Sequence, residues 1–327
     1  MLISVVIPSY NRADVVGQAI DSILGQKVAA DIEIIIGDDC STDHARDVLL
    51  DYQKRFPDII RLIFHEQNLG LGANWATCVK ACQGQYICNC DNDDFWHDPD
   101  KLQVQLDYME SHPQSNVLIT NHRTFNRATG EIREEKAHID RTIPLQQAFF
   151  RGREGFCNAT IMYRADFLKE HLPLDDFISH RFMLQDWTAW IILSAYTDFD
   201  ILDRSTATMC LETQSITRPT SVEALRKRMD QEKECYQYCC ALFPDDLPYS
   251  ETGWNSYVDA LLLSKAYQVG DYKQAHLSAK NLSGHIRNWK TLFAQNRLTF
   301  GIGSLLIRMK RSASKGISKI MNKANRT

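Results

Sequence analysis

Four apolar runs, at residues 2–7, 32–36, 61–64 and 86–90, recur along the N-terminal part of the chain. Their spacing of about thirty residues is the length of a βαβ unit. The gaps between them carry helical patterns. Val15, Val16, Ala19, Ile20 and Ile23 share one face behind Asp14, the expected cap. A second helix is expected over 43–55, stopped by Pro57. A third begins at Gly72 or Ala73, turns Trp75, Val79 and Cys82 inward, and ends at Gly84. Unbroken Val/Ile runs mark strands buried on both faces. The reading is therefore an α/β fold, Rossmann-like, with a mainly parallel sheet and helices on both sides.

Further along, Pro99 opens a helix over 100–111 and residues 116–120 form another strand. The polar stretch 126–142 reads as a surface excursion, and apolar patterns return at 159–163 and 188–195. After Ser221 the patterns are helical only, which predicts a C-terminal helical region. Trp254, Tyr257, Val258, Leu261 and Leu262 form one face, and Gly270-Asp271 turns the chain into Tyr272, Ala275, Ala279 and Leu282. A chain of 327 residues exceeds one typical domain. The expected division is 1–220, a helical domain at 221–299, and a tail at 300–327.

Charge separates the body from the tail. Up to Asp271 the chain holds 25 basic and 41 acidic residues, and from Tyr272 onward 12 basic and none acidic. An acidic body argues against a nucleic-acid partner, which requires many phosphate neutralisations. No apolar run approaches the roughly 18 residues of a membrane span. The first residues read as a strand and not as a signal peptide. The ten cysteines are then expected to be reduced cytosolic thiols. Cys78/Cys82 and Cys88/Cys90 invite a zinc reading, but no Cys-x-x-Cys pair exists, and buried small hydrophobes are the expectation.

In open α/β sheets ligands bind beyond the carboxyl ends of the strands. Here those ends read Pro8-Ser9-Tyr10-Asn11-Arg12, Asp38-Asp39-Cys40-Ser41, Asn68-Leu69-Gly70-Leu71-Gly72 and Asp91-Asn92-Asp93-Asp94. Carboxylates crowded at one sheet edge repel unless a cation or hydrogen-bond donors sit among them. Alternate residues leaving a strand point the same way, so Asp91 and Asp93 can face one Mg²⁺ or Mn²⁺. Alone, an Asp-x-Asp is a weak signal that turn or capping roles also produce. After a buried strand and before Pro99-Asp100 it is stronger.

In their order and spacing these motifs, with Gly84-Gln85-Tyr86 ahead of the acidic run, resemble family 2 glycosyltransferases of the GT-A fold over roughly residues 1–215. The resemblance implies transfer of a sugar, with inversion, from a nucleotide-diphosphate donor, usually a UDP-sugar. The acceptor it implies is a glycan or lipid-linked hydroxyl in cell-surface polysaccharide synthesis. It makes Pro8, Tyr10, Asp39, Asn68 and Asp91 nucleotide-binding residues, and Asp91 and Asp93 the residues that meet Mn²⁺ or Mg²⁺. Asp94 is then a supporting acid. Asn68 and Asn74 are either polar pocket walls or caps, and Gly70 and Gly72 serve close backbone packing. Gln185-Asp186-Trp187 falls where the family shows Glu-Asp before an apolar helix, which makes Asp186 the catalytic base. Gln185 departs from that pattern. Cys157-Asn158-Ala159-Thr160 matches the acceptor-side loop loosely, and His180 and Arg181 stand where they can approach the leaving diphosphate. A sugar nucleotidyltransferase or a non-catalytic sugar-nucleotide scaffold are the rival readings.

The tail places Ile302, Leu305, Leu306 and Met309 on one helical side and Arg308, Arg311, Lys315 and Lys319 on the other. Such a helix suits an anionic membrane surface, at about 1 kcal/mol per basic residue near the lipid. Docking on the protein's own helices and a frayed tail are the alternatives. The expected location is cytoplasmic, peripheral on the inner face of the cell membrane.

Overall fold

The computed structural model describes residues 1–152, 154–211, 219–282 and 294. The chain divides into two compact units, Met1–Thr213 with Glu234–Leu247, and Gln214–Lys233 with Pro248–Thr327. The first unit opens with β1 (Leu2–Ser9), α1 (Val16–Leu24), β2 (Asp31–Asp38), α2 (Ala45–Arg55), β3 (Ile60–Phe64), α3 (Leu71–Ala81) and β4 (Tyr86–Asn89). It continues through β5 (Phe95–Trp96), α4 (Lys101–Ser111), β6 (Val117–Asn126), β7 (Glu131–Glu135), β8 (His138–Ile139), α5 (Leu145–Phe150) and β9 (Glu154–Gly155). A 3₁₀ turn at Asn158–Thr160 leads to β10 (Met162–Arg164), α6 (Ala165–His171), α7 (Leu174–His180), α8 (Gln185–Leu193) and β11 (Phe199–Leu211).

The main sheet has the order β3-β2-β1-β4-β10-β6-β11-β5, with β7 paired to β6. β3, β2, β1 and β4 are parallel, β10 runs antiparallel between β4 and β6, and β6 and β11 are again parallel. The expected α/β architecture with a mainly parallel sheet is what forms. Alternate residues of β1 and β2 enter different cores. Val5, Ile7, Ile34 and Ile36 pack with α1 and α4, while Val6 and Ile35 pack with α3 and α8. Both faces are covered, and this is why the strands carry unbroken Val/Ile runs. The same sidedness separates the cysteines: Cys78 and Cys82 lie in one core and Cys88 and Cys90 in the other. Among the described residues no His, Cys, Asp or Glu group is arranged to hold a metal by itself.

Two local expectations change. α1 begins after Val15 without a side-chain cap, and the Arg12 carbonyl, not Asp14, receives the N–H groups of Val15 and Val16. Residues 126–142 are not simply an excursion, because β7 pairs antiparallel with a β6 longer than expected, placing Phe125 opposite Ile132. β7 is almost wholly exposed and so has no buried face to impose alternation, while charged pairs such as Arg123–Glu134 hold its register.

The helix α9 (Val222–Leu242) contributes its first half to the second unit and its residues from Glu234 to the first. In the second unit α10 (Glu251–Val269) and α11 (Tyr272–Leu282) form a hairpin around Leu263, Ala266, Tyr267, Ala275 and Ala279. Gly270 closes α10 in the left-handed conformation at φ 81°, which glycine adopts without strain. No helix among the described residues is long and apolar enough to cross a membrane. The basic tail from Phe300 lies outside the described residues.

Candidate active site

At the carboxyl edge of the sheet, the turns after β1, β2 and β3 are knitted together through Asp39. Its backbone N–H donates to the Ser9 carbonyl at 2.9 Å. Its carboxylate accepts the N–H of Leu69 at 2.6 Å on one oxygen and of Gly70 at 2.9 Å on the other. The Asn68 amide donates to the Asp39 carbonyl at 3.2 Å. Asn11, left-handed at φ 51°, accepts the Thr42 N–H at 2.8 Å and so ties the first turn to the second. Pro8 is buried at the end of β1, whereas Tyr10 stands 44% exposed beside these turns. Asn74 proves to be a clip, not a pocket wall. Its amide donates to the Gly37 carbonyl at 2.8 Å, and its oxygen meets His65 at 3.1 Å. Asp38 is likewise committed, to Arg46 at 2.6 Å.

The glycines of this loop face the segment that leads to α8. A β-carbon at Gly72 would collide with the Phe182 carbonyl, and one at Gly70, itself at φ 87°, would lie 3.7 Å from Cβ of Arg181. The expected close backbone packing is found at Gly72, against Phe182 in the run just before Asp186, whereas Gly70 is required by its positive φ and not by crowding. His180 is spent on structure, stacking on Phe182 at 5.2 Å and meeting the Asp176 carbonyl at 3.0 Å. Arg181 is exposed and left-handed at φ 55°.

The acidic run after β4 is built differently from its sequence-based description. β4 ends at Asn89, and the Asp94 N–H returns to the Asp91 carbonyl at 3.0 Å, so a turn and not strand alternation brings Asp91 and Asp93 together. Burial, then Asp93, then Asp186 push the Asp91 carboxyl up to about 7, against one donor, the Asn158 amide at 3.1 Å. Burial and then Asp91 and Asp93 raise Asp94 well above the usual carboxylate range, and its Oδ1 accepts the Cys210 N–H at 2.7 Å. Arg12 stands 3.7 Å from Asp93, and Arg127 donates to the Asp93 carbonyl at 3.0 Å.

Asp186 lies in the first turn of α8, where Leu184 and not Asp186 is the N-cap. Its Oδ1 accepts the Trp187 N–H at 2.7 Å, and burial raises its carboxyl. Trp187 in turn donates to the Phe149 carbonyl at 2.8 Å, which ties α5 to α8. β9 carries Glu154, whose Oε2 is buried without a hydrogen-bond partner; burial and the Asp186 charge push this carboxyl up to about 7.

The structure thus brings Asp91, Asp93 and Asp186 into one electrostatic neighbourhood and Asp39 and Asn68 into an adjoining, hydrogen-bonded one. Sequence reasoning missed Arg12, Arg127, Glu154 and the specific role of Asn158. Arg12 stood inside the first motif. Asn158 stood inside the acceptor-side match without its bond to Asp91, and Arg127 and Glu154 lie far from Asp91 or Asp186 in sequence with nothing local to mark them. The oxygen-only donor set of Asp91 and Asp93 suits a hard cation, which is commonly held by one or two carboxylates plus substrate phosphates. That chemistry needs no closed protein cage.

Known proteins resemble this chain in sequence and in fold. An uncharacterized glycosyltransferase of Nostoc sp. is 44% identical over 187 residues, 54% of each chain. A putative teichuronic acid biosynthesis glycosyltransferase of Bacillus subtilis is 39% identical over 108 residues, 33% of this chain and 42% of that one. Uncharacterized Mycobacterium proteins match over 33% of their length, so the chain spans a third to about half of these curated relatives. Among solved structures, S. aureus TarS 1-349 in complex with UDP-GlcNAc has a TM-score of 0.53 at 16% identity, covering 87% of this chain and 80% of that one. At that identity the likeness is one of fold, the GT-A type. The family model for glycosyl transferase family 2 matches residues 4–172, about half of the chain and the whole of the motif-bearing sheet edge from β1 to Asp94, and the protein belongs to that family.

Proposed function

We propose that the protein transfers a hexosyl or N-acetylhexosaminyl group, with inversion, from a UDP-sugar to a hydroxyl of a glycan or lipid-linked acceptor in cell-surface polysaccharide synthesis. The observation that carries the reading is that Asp91, raised by burial and then by the charges of Asp93 and Asp186, has Asp186 within electrostatic reach, which puts a candidate base near a candidate diphosphate-binding turn. The UDP-GlcNAc complex of TarS and the teichuronic acid assignment of the B. subtilis relative support the donor and acceptor classes.

In this reading Asp186 takes the proton of the acceptor hydroxyl as its oxygen attacks the anomeric carbon. The Trp187 N–H holds one oxygen of the base, and the Trp187–Phe149 bond keeps the helix start from shifting. Asp91 and Asp93 would hold Mg²⁺ or Mn²⁺ shared with the donor diphosphate, and the cation would offset charge on the leaving group. Arg12 adds positive charge on the same side. Tyr10 offers an exposed ring to the nucleoside, and Asp39, Asn68 and Pro8 shape the wall behind it.

The test is UDP release by the full chain, with and without acceptor, beside the Asp186→Asn variant. Loss of a general base predicts a fall in kcat of about 10³-fold with donor affinity kept. Near-normal turnover would remove Asp186 from the role. A wild-type protein that binds UDP-sugar and releases no UDP under any condition would be a binding scaffold instead.

A further inference from the structure

A buried chain of hydrogen bonds runs from α3 to the acidic turn. The indole N–H of Trp75 donates to Oδ1 of Asn89 at 3.0 Å, the Asn89 amide donates to Oδ1 of Asn158 at 2.9 Å, and the Asn158 amide donates to Oδ1 of Asp91 at 3.1 Å. Trp75 and Asn89 are each 1% exposed and Asn158 4%. An indole nitrogen only donates, so the oxygen of Asn89 must face it and its nitrogen must face Asn158. The same logic turns the oxygen of Asn158 to Asn89 and its N–H to Asp91. Every amide orientation follows from the first donor, and the chain ends on a carboxylate.

The turn that carries Asn158 is clamped from the other side. Trp96 donates to the Ala159 carbonyl at 2.9 Å and Gln105 to the Thr160 carbonyl at 2.8 Å. Buried Lys101 orients both clamps, donating to the Gln105 oxygen at 2.6 Å and lying 4.2 Å from the centre of the Trp96 ring. A cation in the core is otherwise costly, and here it fixes two side chains that hold one turn.

We propose that Asn158 is a positioning residue that occupies Oδ1 of Asp91 and thereby presents Oδ2 to the cation and donor. The inference deepens the proposed function, because it rests on the reading of Asp91 as a donor-side ligand. It also links the Cys157-Asn158-Ala159-Thr160 turn, loosely matched to the family's acceptor-side loop, to the donor side through one amide.

The experiment measures Mn²⁺ binding to the full chain in the presence of UDP, by calorimetry and by the Mn²⁺ electron-spin signal, with no turnover required. Asn158→Asp replaces the donor by an acceptor, and Asn158→Ala removes it. Both are expected to weaken Mn²⁺ about 10–100-fold, the usual effect of losing a hydrogen bond behind a metal ligand. Metal-free UDP binding is expected to hold, and the fall in unfolding temperature from the lost buried hydrogen bonds is expected to be the same with UDP as without it, which separates positioning from a general structural loss. Should the variants at 158 fail to fold, Trp75→Phe carries the test. It frees the Asn89 amide to turn, so a loss of Mn²⁺ affinity supports the proposal and an unchanged affinity overturns it. Unchanged Mn²⁺ affinity in folded Asn158→Ala and Asn158→Asp overturns it as well. Donor hydrolysis by the wild type, run in parallel, reads the transferase activity separately from this binding measurement.

Discussion

The two acidic regions of the sheet edge are made of the same residue type and held in opposite ways. Asp39 sits among donors: both carboxylate oxygens accept backbone N–H groups, from Leu69 and Gly70. Asp91, Asp93, Asp94 and Asp186 lie in one neighbourhood, where Asp91 accepts from one amide, Asp94 and Asp186 each from one backbone N–H, and Asp93 faces Arg12. In the first region the carboxylate is a structural acceptor that ties three turns into one wall. In the second, burial and like charge raise the carboxyls of Asp91 and Asp94, while Arg12 stands 3.7 Å from Asp93. On the proposed function, the difference separates a carboxylate that the fold needs from carboxylates that would serve a ligand.

The largest effect on stability is therefore expected at Asp39. Asp39→Ala strands two N–H groups in a nearly buried site, at a cost of about 2–4 kcal/mol, read as a lower unfolding midpoint in urea. A neutral outcome would break the comparison, because it would mean that the turns hold without their acceptor.

Glu154 sharpens the contrast through pH. Its folded carboxyl is raised to about 7 from 4.5, so between these values the folded state holds a proton that the unfolded state has lost. Stability from this group is full below pH about 4.5 and is lost as pH rises through about 7. Glu154→Gln stays neutral. It should lack that decline and gain on the order of 2 kcal/mol relative to wild type at pH 8 compared with pH 5. Parallel pH–stability curves for the two proteins would contradict a Glu154 carboxyl raised by burial and the nearby Asp186 charge.

A smaller effect of opposite sign to Asp39 is expected at Asp91. Asp91→Asn removes one charge from the crowded region while its oxygen still accepts from Asn158. Without metal at pH 8 it should be more stable than wild type by about 1 kcal/mol while losing activity, the usual trade at a functional site. Destabilisation by chemical denaturation would place Asp91 with Asp39, among the structural acceptors.

These contrasts were only partly legible in the sequence. The four parallel strands and both acidic motifs could be read because strands buried on both faces leave unbroken apolar runs that end abruptly in polar residues. Asp186 could be found only by its place in a family pattern, since one aspartate ahead of an apolar helix also describes a cap. The saturation of Asp39 depends on backbone N–H groups thirty residues away, and the Asn158–Asp91 bond spans 67 residues. Contacts of that range leave no local signature. β7 was missed for a different reason, because an exposed edge strand held by charged pairs lacks the apolar alternation that marks strands.

The central claim is that the crowded carboxylates await a cation with a nucleoside diphosphate, whereas the saturated ones do not. The most direct measurement is the unfolding temperature of wild type, Asp91→Asn and Asp93→Asn at pH 8 with UDP, in the presence and absence of Mn²⁺. A ligand at 100 times its Kd stabilises the folded state by about 2.7 kcal/mol, enough to read as a shift of several degrees. The account predicts that shift in the wild type when Mn²⁺ and UDP are both present, and its loss in both variants. An equal Mn²⁺-dependent shift in Asp91→Asn and Asp93→Asn would contradict it.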